Sequence, residues 1–174
     1  VGSEMCIRDS SKITFESYIM GSYFEQVLYY ANMRFSKMTG GRYEIVRGES
    51  RDKRISAGLE ISVRDNFNNK ERDISSLSGG ESFQASLALA LGLSDIIQQR
   101  NGGIRLDSIF IDEGFGSLDN DSLASAIETL NDLTGNGNRL VGIISHISEL
   151  KNSIGNKIEV VGTKSGSSIK IITD

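Results

Sequence analysis

Two uninterrupted hydrophobic runs constrain this chain more than anything else in it. Ser108-Ile-Phe-Ile leads directly into Asp112-Glu113, and Leu140–Ile144 leads into Ser145-His146. Both are too short for a helix, and both are apolar at successive rather than alternate positions. Between them lies an amphipathic segment near Asp121–Leu133, with Leu123, Ile127, Leu130 and Leu133 on one face. Strands without a polar side, alternating with helices, belong to a parallel sheet covered on both faces. The expected fold class is therefore α/β, a mostly parallel sheet flanked by helices.

The flanking segments fit that layout. Over residues 12–39 the apolar positions Met20, Phe24, Val27, Ala31, Phe35 and Met38 recur at helical steps, and Gly40-Gly41 stops the helix. Extended runs follow at Tyr43–Val46 and Leu59–Arg64; in the second, Leu59, Ile61 and Val63 alternate with polar neighbours. The charged stretch Arg47–Arg54 lies between them. Leu77-Ser78-Gly79-Gly80-Glu81 then opens a mostly apolar helix over Ser82–Gln99. A short helix, Ile147–Ile154, and two strands around Gly166 complete the chain.

Composition limits the class. A length of 174 residues suits one domain, and 38% hydrophobic residues allow a packed core. Lys+Arg 19 against Asp+Glu 23 gives a net charge of -4, which excludes a strongly basic nucleic-acid coat but not a local basic patch. No apolar run approaches the roughly 18 residues of a membrane span, and no signal peptide opens the chain. Cys6 alone builds neither a disulfide framework nor a multi-cysteine zinc site. The expectation is a soluble cytoplasmic domain with no membrane partner. Proline is absent, so the 19 glycines must make the turns. The opening VGSEMCIRDS is similar to a translated sequencing adapter. Residues 1–10 are read as a non-native leader and 11–174 as the chain proper, a fragment of something longer.

Four clusters could carry chemistry. Asp112 and Glu113 end a buried strand at the carboxyl edge of the sheet, where α/β folds bind ligands. Adjacent strand residues point to opposite sides, so one acid could hold Mg²⁺ through water while the other orients or deprotonates a water. An acidic solvated turn would give the same letters. Ser78, Gly79 and Gly80 open a helix where backbone N–H groups could face an anion, or Ser78 could simply cap the helix with Glu81 as its partner. His146 follows the second apolar strand, placed for phosphate contact or merely exposed. The Gly114–Asp119 loop ends in Asp119, a candidate nucleotide-loop acid or an ordinary helix cap.

Taken in order, LSGGE, a hydrophobic strand with Asp-Glu, Gly-Ser-Leu-Asp and Ser-His resemble the ABC-type ATPases. The longer stretches LSGGESFQASLALALGLSDIIQ, FIDEGFGSLD and RLVGIISHISELK resemble the SbcC family, ATPase subunits of SbcCD nuclease complexes, over residues 12–172. That resemblance implies the C-terminal lobe of an ABC-type P-loop head, with residues 12–38 leading from a coiled coil. It implies ATP and Mg²⁺ as cofactors, with zinc only in a hook region outside this stretch. By residue, it implies Asp112 near Mg²⁺, Glu113 polarising water and His146 at the γ-phosphate. It likewise implies Ser78, Gly79, Gly80 and Glu81 against a nucleotide held by a facing head, and Asp119 in the D-loop. The implied partners are an N-terminal P-loop half, a second head in a homodimer, an SbcD-type nuclease and DNA. Gly-x-x-x-x-Gly-Lys-Ser/Thr is missing, and Gly162-Thr-Lys-Ser has the wrong spacing, so the fragment alone is expected to be inactive. An SMC-type head and a transporter nucleotide-binding domain share the same motifs. Arg47, Arg51, Lys53 and Arg54 form the densest basic stretch and the candidate contact to DNA phosphates, diluted by Glu49 and Asp52.

Overall fold

The computed structural model describes residues 15–48, 59–100, 106–137, 139–163 and 166–173. Residues 1–10 with Cys6, and Arg51, Lys53 and Arg54, lie outside them. The first helix, α1 (Phe15–Met38), buries Val27, Leu28, Ala31, Phe35 and Met38, as the helical spacing predicts. Met20 departs from the expectation: it is exposed, because the apolar stripe is covered only from Phe24 onward. Gly40 and Gly41 take φ of +58° and +78°, and the Gly41 N–H turns back to Ser36 O at 2.7 Å. Left-handed backbone of this kind ends a helix at little cost only with glycine.

Three antiparallel strands follow, β1 (Tyr43–Arg47), β2 (Ile61–Asp65) and β3 (Lys70–Asp73), in that spatial order. Ile45 sits opposite Val63, and both are buried on the inner face. The outer edge of β1 is closed by one side chain. Asn32 on α1 accepts the Ile45 N–H at 2.8 Å and donates to Ile45 O at 2.7 Å, standing in for a neighbouring strand.

The second long helix, α2 (Gly79–Arg100), lies against α1 with their backbones nearly touching. A Cβ on Gly92 would stand 2.7 Å from Val27 O and 2.8 Å from Ala31 N. The parallel pair β4 (Ser108–Asp112) and β5 (Leu140–Ile144) runs in register from Ser108↔Leu140 to Asp112↔Ile144. Between them α3 (Asn120–Gly137) buries Leu123, Ala126, Leu130 and Leu133. The chain finishes with α4 (Ser148–Ser153) and the hairpin of β6 (Lys157–Thr163) and β7 (Gly166–Ile172). No described helix is long and apolar enough to cross a membrane.

One expectation needs correction. The parallel component is two strands wide among the described residues, and it is covered on one face only. Ile109 and Ile111 are half-buried, whereas Phe110, Leu140 and Ile144 are exposed, the Phe110 ring lying across Gly142 on the paired strand. On the hairpin, Ile158, Val160, Ile169 and Ile171 share one face and are all exposed. The physical reason is the lack of an opposing layer over these faces among the described residues.

Candidate functional site

The carboxyl edge of β4 is where the backbone leaves regular geometry. Asp112 ends the strand, exposed, and Glu113 adopts φ of +61° while its N–H still donates to Ile144 O at 2.9 Å. A non-glycine residue held in left-handed backbone costs on the order of 1–3 kcal/mol and persists where its surroundings impose it. Gly114 continues the turn at φ of +93°, and no side chain fits there: a Cβ would stand 2.3 Å from the Phe83 ring. Phe83 in turn meets Phe115 edge-on, 4.8 Å between centroids. The turn aims the Glu113 carboxylate at His146, with Oε1 and Nδ1 3.2 Å apart and both side chains largely exposed.

The second cluster sits at the start of α2, which begins at Gly79, three residues earlier than expected. Ser78 and Glu81 cap it reciprocally. The Ser78 N–H donates to Glu81 Oε2 at 2.8 Å, and the Glu81 N–H donates to Ser78 Oγ at 3.3 Å. Burial works to raise the Glu81 pKa, but the Ser78 N–H, the Tyr43 hydroxyl, the Ser78 hydroxyl and Arg72 together hold it below the ordinary glutamate value. The two glycines have a use beyond anion approach. A Cβ on Gly80 would stand 2.9 Å from Ser117 O, and one on Gly79 would stand 3.4 Å from Ser117 Cβ. The loop thus packs directly on the 3₁₀ turn Phe115–Ser117.

Asp119 is the cap of α3. Its carboxylate accepts the Ser122 N–H at 2.8 Å and its carbonyl accepts the Leu123 N–H at 2.9 Å. The Ser122 N–H and hydroxyl hold the Asp119 pKa below its usual value. Ser78, Gly80, Glu81, Ser117 and Asp119 line one cleft of about 420 Å³. Asp112, Glu113 and His146 do not line it. The structure therefore gathers the expected residues into two groups, one on each side of the Gly114–Leu118 segment. Ser117 and Phe83, which make that segment fit, carried no sequence signal except the glycines they press against.

The donor set bears on Mg²⁺. No group of three or more His, Cys, Asp or Glu side chains that could hold a metal exists among the described residues. A single hard oxygen donor such as Asp112 still fits Mg²⁺, which takes one or two carboxylates and fills its octahedron with water and phosphate oxygens.

The fold is that of an SMC-type ATPase head. A chain from a structural study of ATP-driven dimerization and DNA-stimulated activation of SMC ATPases superposes with a TM-score of 0.69 at 14% identity, covering 90% of this chain and 89% of that one. Sequence narrows the class. The family model described as SbcC/RAD50-like, Walker B motif, matches residues 49–132. The SbcC component of the SbcCD nuclease of Vibrio cholerae is 48% identical over 167 residues, which is 95% of this chain and 16% of the relative. Its counterpart from Staphylococcus epidermidis is 54% identical over 157 residues, 90% of this chain and 15% of the relative. The chain belongs to the SbcC family, and it spans about one sixth of the length of the curated relatives it matches.

Proposed function

We propose that this chain is the C-terminal half of the ATPase subunit of a cytoplasmic DNA-end-processing nuclease complex. In this reading ATP binding joins two heads, and hydrolysis releases them to regulate an SbcD-type nuclease acting on DNA. An N-terminal P-loop half supplies most of the phosphate donors, so this chain by itself neither binds ATP tightly nor hydrolyses it. Zinc belongs only to a hook region elsewhere in the family. The observation that carries the proposal is the division of the site. The cleft lined by Ser78, Gly80, Glu81 and Asp119 excludes Glu113 and His146, as residues serving two different nucleotides would require.

The roles follow from that division. Asp112 is the residue to hold Mg²⁺ through water, and Mg²⁺ when bound supplies charge neutralisation at the phosphates. Glu113, freed from the strand by its left-handed turn, orients the attacking water and accepts its proton. His146, hydrogen-bonded to Glu113, reaches the terminal phosphate within the same head. Ser78, Gly79 and Gly80 meet the nucleotide of the facing head, Glu81 fixes Ser78, and Asp119 holds the connecting loop. An SMC-type chromosome-organising role is less favoured, because the relatives at about half identity are SbcC proteins.

The test uses a head assembled by co-expression with a P-loop half. Glu113→Gln keeps the shape and removes the base, so hydrolysis should fall about a hundredfold or more while ATP still joins the heads. Ser78→Arg should bind ATP and fail to dimerise. Light scattering with and without Mg-ATP reads both. The reverse pattern, or no ATP-driven dimer from the unsubstituted head, overturns the proposal.

A further inference from the structure

The capping pair Ser78–Glu81 is itself held by two residues from the β-meander. Tyr43, at the first position of β1, is 2% exposed, and its ring stacks on Phe35 of α1 with centroids 6.3 Å apart. Its hydroxyl donates to the Glu81 carboxylate and accepts from Arg72 Nη2 at 3.2 Å. Arg72, on β3, also donates from Nη1 to Ser76 O at 3.2 Å, on the approach to the loop. The Arg72 guanidinium lies 5.4 Å from the Tyr43 ring centroid, and its Nε is buried without a partner.

A chain of donors thus runs from Arg72 to Tyr43 to Glu81, and Glu81 accepts the Ser78 N–H. Holding a helix end in place does not require this. A Ser–Glu cap satisfies itself, and an apolar side chain at Tyr43 would fill the core without burying a hydroxyl and a guanidinium, which is costly. What the extra donors add is a carboxylate that stays satisfied when Ser78 moves. The Ser78 hydroxyl is one of the groups stabilising the ionised Glu81. If that hydroxyl turns to a phosphate, Glu81 keeps Tyr43, with Arg72 behind it, and continues to hold the Ser78 N–H.

We propose that Tyr43 and Arg72 are positioning residues for Ser78, setting the signature loop from the β-meander so that its hydroxyl can be transferred to the nucleotide of a facing head. The inference rests on the function proposed above. Its test, in the same assembled head, uses Tyr43→Phe, which keeps the ring on Phe35, and Arg72→Met as a second variant should the first misfold. Hydrogen exchange of the Leu77–Ser82 amides should accelerate about tenfold, the scale of one hydrogen bond to a charged group, and ATP-driven dimerisation should weaken about tenfold or more. ATP binding within one head and the melting temperature should not change. The conservative Arg72→Lys should recover part of the dimerisation lost in Arg72→Met. Exchange and dimerisation equal to the unsubstituted head, or losses that merely track a lower melting temperature, overturn the inference. An unsubstituted head that does not dimerise with ATP would remove the function proposed above, while the exchange measurement would still decide the relay.

Discussion

The helical side of the molecule and its strand-edge side are equally hydrophobic in sequence and oppositely treated in three dimensions. Where α1, α2 and the meander meet, Phe35 and Val63 are fully buried and Ile45 and Leu91 nearly so. On the outer face of β4–β5 and on the terminal hairpin, Phe110, Ile158, Ile169 and Ile171 are each about 70% exposed. Apolar character therefore does not assign burial. A face is buried only when a second layer lies against it, and the helical side has three such layers. It also has a polar lock: Asp95 on α2 pairs with Arg34 on α1 at 2.7 Å and with Arg139, just before β5, at 3.0 Å, all three side chains mostly buried.

That contrast can be broken at four points. Asp95→Ala strands two buried guanidinium groups, so urea unfolding of the assembled head should lose about 3 kcal/mol or more, the scale of a broken buried ion pair. A loss under about 1 kcal/mol would mean the helical side is held by packing alone. Glu113→Gly on the strand-edge side should act in the opposite direction. Relief of the left-handed backbone, less the entropy of an added glycine, should raise stability by about 1 kcal/mol while hydrolysis is lost. A destabilised variant would show that the Glu113–His146 contact, not function, fixes that turn.

The third point is a pH dependence at the junction of the two sides. Glu81 has a depressed pKa because Ser78, Tyr43 and Arg72 together outweigh its burial. Its folded state therefore binds its proton later than its unfolded state as pH falls. Stability from the ionised cap, about 1 kcal/mol on the scale of helix capping, is fully present above the ordinary glutamate pKa and disappears as pH drops through the lower folded value. Unfolding curves of the unsubstituted head and Glu81→Gln should differ at neutral pH and converge in acid; a constant gap would contradict the assignment. The smallest effect belongs to the bare hairpin: Ile158→Thr in this chain should change stability by no more than about 0.5 kcal/mol. A cost above about 1 kcal/mol would reveal a layer over that face.

Much of the local structure was legible in the sequence. The strands expected at Ser108–Ile111 and Leu140–Ile144 match β4 and β5 to within a residue, since uninterrupted apolar runs bounded by acids and turns have few other solutions. The end of α1 at Gly40-Gly41 followed from glycine's tolerance of positive φ. By contrast, β3 reads Lys-Glu-Arg-Asp, without one apolar residue. It is a strand because β2 offers it an edge, with Arg72 opposite Val63. The signature glycines were legible as a tight turn but not as the seat for Ser117.

Residue order alone settles the succession and kind of the elements, the caps at Ser78 and Asp119, and the acids at the end of β4. Each depends on backbone preferences and partners only a few residues away. Packing settles the rest: which apolar faces are covered, that Glu113 turns left-handed to meet His146, and that Tyr43 and Arg72 stand behind Glu81. Those outcomes join residues far apart along the chain, and burial and hydrogen bonding between them exist only once the layers have come together.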